Sequence, residues 1–175
     1  MQLNVESDAS YLSVSKARSR AAGYSYLSSR SNPIHNGAIQ VNCHILCEVV
    51  SSVAKAELGA LFYNSKEACP LRITLEELGH LQSPTALITD NSTAAGIAND
   101  TVKQRRSKAI DMRYYWIRDR IRQGHFTVEW KKGKQNLADY FTKHHPKRYH
   151  VQIRSTYLFD DNNPNRNYFQ LLAGD

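Results

Sequence analysis

The stretch Thr85–Ile97 constrains the fold more than any other part of this sequence, because an apolar run ends there in an acidic residue. Residues 86–88 predict a short buried strand, and Asp90 follows it closely. Asn91 or Ser92 then provides the cap for a helix of small residues. This order places a carboxylate at the carboxyl end of a central strand, where open α/β sheets bind their ligands. A lone Asp there is also typical of a turn, so the other acidic residues decide its interpretation.

The first part of the chain predicts three strands in meander order. The first strand begins at Leu3, the second spans Gly23–Leu27, and the third spans Ala38–Leu46. Asn36 and Gly37 provide a turn before the third strand. Alternation along the third strand places four side chains on one face: Ile39, Val41, Cys43 and Ile45. We therefore expect an antiparallel three-stranded start to the sheet.

Helices and strands alternate in the rest of the chain. Ser51 or Ser52 caps a helix with an apolar stripe, and Pro70 is predicted to interrupt this helix or to start the next one. A helix over residues 110–121, a strand over 126–130 and a last helix capped by Asn136 follow. The order predicts an α/β fold with a mixed five-stranded sheet flanked by helices. We expect one domain over residues 1–145 and a partly flexible C-terminal extension over residues 146–175.

Four acidic side chains fall near the ends of predicted strands or the starts of predicted helices: Asp8, Glu57, Asp90 and Asp139. Ordinary explanations exist, since Glu57 can pair with a lysine and acidic residues such as Asp139 are favoured near helix N-termini. If strands one and four are neighbours, however, all four carboxylates converge on one edge of the sheet. Like charges so close together need compensation, which two Mg²⁺ ions provide. Such a two-ion site hydrolyses phosphodiester bonds.

The charge of the chain favours a polyanionic partner. Its 175 residues carry 23 Lys and Arg against 16 Asp and Glu, which gives a formal net charge of +7. Basic residues are concentrated over residues 102–108 and 131–134. No apolar run is long enough to span a bilayer, so we expect no membrane partner. The sequence has three cysteines, an odd number whose spacing matches no disulfide framework, and this indicates a reducing compartment.

Segments in order along residues 5–145 match one known pattern. Near the start, Ser7-Asp8-Ala9 with Gly23-Tyr24 is similar to Ser-Asp-Ala-Asp with Ser-Gly-Tyr, and Ala54-Lys-Ala-Glu57-Leu-Gly-Ala-Leu is similar to Thr-Glu-Ala-Glu-Tyr-x-Ala-Leu. In the middle, Thr89-Asp90-Asn91-Ser92-Thr-Ala is similar to Asp-Asn-x-Ser-Ala, and Arg106-Ser-Lys108-Ala-Ile-Asp111-Met-Arg113-Tyr is similar to Arg-Thr-Lys-His-Ile-Asp-Ile-Arg-Tyr. Towards the end, Asn136-Leu-Ala-Asp139-Tyr-Phe-Thr-Lys143 is similar to Gln-Leu-Ala-Asp-x-Phe-Thr-Lys. By this combination the chain resembles the ribonuclease H domain of Ty1/copia-type retrotransposon polyproteins.

The resemblance implies an RNase H-like fold and an endonuclease that cleaves the RNA strand of RNA–DNA hybrids during reverse transcription. By residue match, Asp8, Glu57, Asp90 and Asp139 correspond to the family's metal-binding carboxylates, which implies two Mg²⁺ or Mn²⁺ ions. It also implies a reverse transcriptase domain in the parent polyprotein and an intracellular location, in the cytoplasm, a virus-like particle or the nucleus. Six side chains are candidates for contacting the nucleic-acid backbone: Asn91, Ser92, Arg105, Arg106, Lys108 and Lys134.

One departure from related enzymes concerns proton transfer. Many cellular and retroviral ribonucleases H carry a mobile His in a Trp-x-Lys-Gly-His motif, where this chain has Trp130-Lys-Lys-Gly-Lys134. A lysine does not shuttle protons near neutral pH unless its pKa falls strongly. Either the metal ions alone therefore activate water, or His144 or His145 assists.

Two other functions are compatible with the sequence. One is a nucleic-acid-binding module that kept the fold and lost its activity. The other, less favoured, is an integrase or transposase core. In such a core an acidic residue follows the second Asp on a helix, whereas Glu57 precedes Asp90 in this chain.

Overall fold

A computed structural model describes residues 1–28, 37–102 and 108–158 of the chain. A five-stranded sheet of order β3-β2-β1-β4-β5 forms its centre. The strands and α-helices of the described chain are β1 (Gln2–Val14), β2 (Arg18–Ser28), β3 (Ala38–Ile45), α1 (Val53–Glu77), β4 (Thr85–Thr89), α2 (Ser92–Ala98), α3 (Lys108–Arg122), β5 (Phe126–Trp130), α4 (Asp139–Thr142) and α5 (Lys147–Tyr157), and a short 3-10 helix spans Gly133–Gln135. The predicted mixed sheet with an antiparallel start is confirmed.

The register of the central strands brings two acidic residues together. β1 pairs antiparallel with β2 and parallel with β4, and the parallel ladder ends at the pair Ser7 and Thr89. Asp8 is the next residue of β1 and Asp90 directly follows β4, so their carboxylates come close together. The sequence predicts a short first strand with Asp8 at its end, and this is wrong, because β1 continues to Val14 in a long hairpin with β2.

Helix α1 covers one face of the sheet. The Ser52 hydroxyl caps it by accepting a hydrogen bond from the Lys55 amide (3.3 Å), and Leu58 and Leu61 enter the main core beneath it. The predicted interruption at Pro70 is wrong, because the helix continues to Glu77. Pro70 is exposed and removes one backbone hydrogen bond. Buried side chains on both sides of it hold the two halves on the sheet: Ala68, Arg72 and Leu75.

Helices α4 and α5 pack on the opposite face. Tyr24 and Tyr26 of β2 contact Leu137, Ala138 and the ring of Tyr157 there. Helix α4 is a single turn that begins at Asp139 rather than a longer helix capped by Asn136. Helix α5 was not predicted, and it lies within the expected C-terminal extension. The domain boundary at residue 145 stays a prediction.

The alternation predicted for β3 is present. Ile39, Val41, Cys43 and Ile45 share a face, but that face is exposed, and the alternate residues on this edge strand are half-buried. None of the helices in the described ranges combines the length and the apolar character needed to cross a membrane.

Candidate active site

Three of the four predicted carboxylates form a cluster. One oxygen each from Asp8, Glu57 and Asp90 lies within 4.8 Å of the others. The side chains come from β1, from the first turns of α1 and from the residue directly after β4. The parallel pairing of β1 with β4 explains why Asp8 and Asp90 meet, and α1 crosses the sheet so that Glu57 faces both.

Glu57 accepts hydrogen bonds from neutral donors. Its Oε1 accepts one from the Ala9 amide (3.2 Å), and its Oε2 accepts one from the Thr89 hydroxyl (3.4 Å). The residue is 3% exposed, and within the described ranges no Lys or Arg forms an ion pair with it. Burial and the nearby charges of Asp8 and Asp90 raise its pKa to about 9. The lysine partner considered from the sequence is therefore not observed among these residues.

Asp8 is equally buried and is tied to helix α4. The Thr142 hydroxyl donates a hydrogen bond to Asp8 Oδ2. Burial raises the pKa of Asp8 to about 6, and the charges of Asp139 and Asp90 act in the same direction. The hydrogen bond from Thr142 opposes this rise, because it favours the ionised carboxylate.

Asp90 is half-buried, and its surroundings fix its backbone. The indole nitrogen of Trp130 donates to the Asp90 carbonyl oxygen (2.8 Å). Gly133 lies so close that a Cβ at this position would be 2.6 Å from Asp90 Oδ2. Burial raises the pKa of Asp90, while the ammonium group of Lys143 lowers it.

Asp139 lies beside the cluster, outside its three-carboxylate core. It begins α4 and forms an ion pair with Lys143, four residues later. Its charge nonetheless raises the pKa of both Asp8 and Asp90, so the four predicted carboxylates share one region. Their role as metal ligands stays a prediction.

Sequence reasoning missed a third buried acid, Glu6, which is 1% exposed. Its Oε1 pairs with Lys131 Nζ (3.0 Å), and its Oε2 accepts a hydrogen bond from the Leu137 amide. Next to it, Asn136 donates to the Ser7 carbonyl oxygen (2.9 Å). These bonds anchor the segment before Asp139 to β1. The available signal was the two-residue spacing of Glu6 and Asp8, which puts both on one face of a strand.

The predicted nucleic-acid contacts are partly described. Asn91 caps α2 by accepting from the Ala94 amide (2.9 Å), while Ser92 and Lys134 are exposed. Arg105 and Arg106 lie outside the described residues, as does the side chain of Lys108.

The two candidate histidines differ in their surroundings. His145 stacks on Tyr140, with ring centroids 5.1 Å apart, and its Nε2 lies 3.1 Å from the Tyr140 carbonyl oxygen. His144 is exposed.

The donor set fits a divalent cation of the Mg²⁺ type. Asp8, Glu57 and Asp90 offer carboxylate oxygens only, which are hard ligands that Mg²⁺ and Mn²⁺ prefer. A divalent cation between them would offset the repulsion that raises their pKa values.

A sequence relative is known among retrotransposon polyproteins. The chain is 31% identical over 107 residues to the retrovirus-related Pol polyprotein from transposon TNT 1-94 of Nicotiana tabacum. The match covers 61% of this chain and 8% of that polyprotein, so the chain corresponds to a small part of the relative's length. No family model matches the sequence.

Solved structures share the fold at low sequence identity. The N-terminal RNase H domain of Rv2228c from Mycobacterium tuberculosis superposes with a TM-score of 0.57 and 12% identity, over 81% of this chain and 95% of that chain. LC11-RNase H1, isolated from compost by a metagenomic approach and solved in complex with an RNA/DNA hybrid, gives 0.58 and 8%, over 79% and 92%. Fold and sequence match together confirm the resemblance: the chain has a ribonuclease H-like fold and is similar in sequence to part of a retrotransposon Pol polyprotein.

Proposed function

We propose that this domain is a divalent-metal-dependent ribonuclease H, which cleaves the RNA strand of RNA–DNA hybrids during reverse transcription of a retroelement. The observation that carries the proposal is the convergence of Asp8, Glu57 and Asp90 within 4.8 Å on an RNase H-like sheet. The relationship to a retrotransposon Pol polyprotein supports the biological setting. LC11-RNase H1, which shares the fold, has been solved with an RNA/DNA hybrid.

The three clustered carboxylates would hold Mg²⁺ or Mn²⁺, with Asp139 available at the side of the cluster for a second ion. When bound, such ions lower the pKa of a water nucleophile and stabilise the charge that develops on the leaving oxygen. The residues of the chain keep the carboxylates in place. Thr142 orients Asp8, and the Ala9 amide and Thr89 hydroxyl orient Glu57.

The hybrid would be recognised by its backbone and shape. Recognition of this kind uses 2′-hydroxyl and phosphate contacts rather than base edges. Asn91 and Ser92 at the start of α2 follow Asp90 directly, and Lys134 follows Gly133, which touches Asp90. We propose these three residues, together with Arg105, Arg106 and Lys108, as contacts to the backbone.

The proposed setting is a larger polyprotein. A reverse transcriptase domain of the same polyprotein would synthesise the hybrid that this domain degrades. We place the activity inside the cell, in the cytoplasm, a virus-like particle or the nucleus.

The test is hydrolysis of a labelled RNA–DNA hybrid in Mg²⁺ or Mn²⁺, with single-stranded RNA and duplex DNA as controls. Asp90→Asn removes one carboxylate from the cluster, and we expect it to abolish cleavage. Asp119→Asn makes the same chemical change at an exposed position on α3 and should leave the rate unchanged. Cleavage of the hybrid alone, abolished only in the first variant, supports the proposal.

The same assay separates the main alternative, an inactive RNase H-fold module that binds nucleic acid. Hybrid binding without cleavage in either metal favours that module. Cleavage that survives Asp90→Asn contradicts the assignment of the site.

A further inference from the structure

A basic strip extends from the candidate metal site along the last described part of the chain. Residues 140–158 contain four Lys or Arg and no Asp or Glu. The four side chains, which we call the α5 basic strip, are all exposed: Lys143, Lys147, Arg148 and Arg154. Of these four side chains, only Lys143 forms an ion pair within the described residues, so the other three positive charges of the strip have no acidic partner there.

Aromatic contacts fix α5 relative to the metal site. The Tyr157 hydroxyl donates to the Leu137 carbonyl oxygen (2.8 Å), and its ring stacks on Tyr140 with centroids 4.8 Å apart. The Tyr140 hydroxyl lies 2.6 Å from His150 Nδ1. Because Tyr140 directly follows Asp139, both ends of α5 are held to the segment that carries a candidate metal ligand.

The two sides of α5 differ in chemistry. Tyr149, Ile153 and Tyr157 recur every four residues and are half-buried. The opposite side carries the basic residues, and Lys147 and Arg148 help to line an open depression of about 690 Å³. A basic surface whose charges have no acidic partner in the described part of the chain fits a polyanion, since exposed like charges repel one another unless a partner neutralises them.

The strip begins at the candidate metal site and is long enough to lie along one strand of a nucleic-acid duplex. Lys143 contacts Asp139, and the four residues from there to Lys147 span at most about 14 Å when fully extended. One strand of a duplex carries a phosphate about every 3.4 Å along its axis. The distance between these two basic residues is therefore comparable with the spacing of a few consecutive phosphates.

We propose that the α5 basic strip binds the sugar–phosphate backbone of the nucleic acid held at the metal site. The identity of that nucleic acid as an RNA–DNA hybrid rests on the proposed function. Asn91, Ser92 and Lys134 precede Asp139 in the sequence, whereas the strip follows it, so the strip would add contacts to those proposed above. Because contacts to phosphates and sugars carry no sequence information, this contribution to binding should be independent of sequence.

The experiment measures binding without cleavage. Lys147→Gln and Arg148→Gln are combined in the Asp90→Asn chain, and the affinity for a fluorescent RNA–DNA hybrid is followed by anisotropy over a salt series. The matched control combines Lys66→Gln with Arg122→Gln, which removes the same charge from exposed positions on α1 and α3. A second variant, Lys147→Glu with Arg148→Glu, should have a larger effect.

We expect weaker binding for the α5 variant. The slope of log affinity against log salt should be smaller by about two, because two phosphates are no longer neutralised by the protein. The control should keep the parent slope. Melting temperatures should be unchanged in both, because all four side chains are exposed.

The outcomes separate this proposal from the proposed function. Equal affinity and slope in the α5 variant, the charge-reversed variant and the control overturn the strip, even if the unsubstituted chain cleaves hybrids. An unsubstituted chain that never cleaves, together with binding of nucleic acid through Lys147 and Arg148, supports the strip and overturns the ribonuclease. If neither the unsubstituted chain nor the Asp90→Asn chain binds hybrid, duplex DNA or single-stranded RNA, both proposals are overturned.

Discussion

The Thr142 hydroxyl donates a hydrogen bond to the carboxylate of Asp8, and it thereby joins helix α4 to strand β1 at the candidate metal site. Asp139 begins the same short helix. This hydrogen bond therefore relates the first and the last of the four predicted carboxylates, although 134 residues separate the two partners. Thr142 is itself 2% exposed, so the hydroxyl has little freedom to turn away.

Replacing Thr142 with Val keeps the shape of the side chain and removes the donor. We expect the pKa of Asp8 to rise further, because the hydrogen bond from Thr142 favours its ionised form. Removal of such an outer partner costs about 10- to 100-fold in metal affinity or activity. Calorimetry measures the Mg²⁺ affinity, and hydrolysis of the hybrid measures the activity. Thr142→Ser keeps the hydroxyl and should retain most of the activity, so equal losses in the Val and Ser variants would contradict the role of the hydrogen bond.

Gly133 allows the loop after β5 to approach Asp90. A Cβ added there would meet Asp90 Oδ2 at 2.6 Å, so the carboxylate or the loop must shift. We expect Gly133→Ala to weaken Mg²⁺ binding and cleavage strongly while it changes the free energy of unfolding by less than about 1 kcal/mol. Lys132→Ala, at the neighbouring exposed position, serves as the control. Normal metal affinity in Gly133→Ala would show that Asp90 is not confined by this glycine.

Glu6 stabilises the segment that leads to Asp139. Glu6→Gln removes the charge that faces Lys131 and changes the acceptor for the Leu137 amide. We expect a decrease of about 1–3 kcal/mol in the free energy of unfolding, since a buried group loses its charged partner. Urea unfolding measures this decrease. Glu129→Gln, an exposed change on β5, is the control, and an equal effect of the two substitutions would rule out a special role for Glu6.

The architecture was predictable because local signals agree with the pairing of strands. The apolar run before Asp90 predicts β4, the Asn91 cap predicts α2, and both are present. The meeting of Asp8 with Asp90 followed as soon as β1 and β4 were taken as neighbours. A carboxylate cluster is thus readable from a sequence when its members stand at the ends of paired strands.

Contacts between distant segments were not predictable in the same way. Glu6 and Leu137 are 131 residues apart, and no local pattern indicates their hydrogen bond. Pro70 is a strong helix breaker locally, but tertiary packing of α1 on the sheet overrides it. Helix α5 has few apolar residues, and sequence periodicity does not reveal the hydrogen bond that joins its Tyr157 to Leu137.

The raised pKa values of Glu57 and Asp8 make the metal-free protein sensitive to pH. In the folded chain Glu57 titrates at about 9 instead of 4.5, and Asp8 at about 6 instead of 3.8. For each residue, at a pH between its ordinary pKa and its raised pKa, the folded state holds a proton that the unfolded chain has released. The free energy of unfolding therefore falls as pH rises through that range. The stabilising contribution is complete below the ordinary values. It disappears as pH passes through about 6 for Asp8 and about 9 for Glu57.

Glu57→Gln should therefore flatten the pH dependence of the melting temperature in EDTA. The amide keeps an acceptor for the Ala9 amide and carries no charge at alkaline pH, which removes the repulsion with Asp8 and Asp90. Each kcal/mol recovered raises the melting temperature by about 2–4 °C in a chain of this size. At alkaline pH, Mg²⁺ should raise the melting temperature of the parent chain and should not raise that of Glu57→Gln.

Glu77→Gln, an exposed change on the same helix, is the control. Parallel melting curves for the parent and Glu57→Gln over the whole pH range would show that Glu57 does not carry this proton.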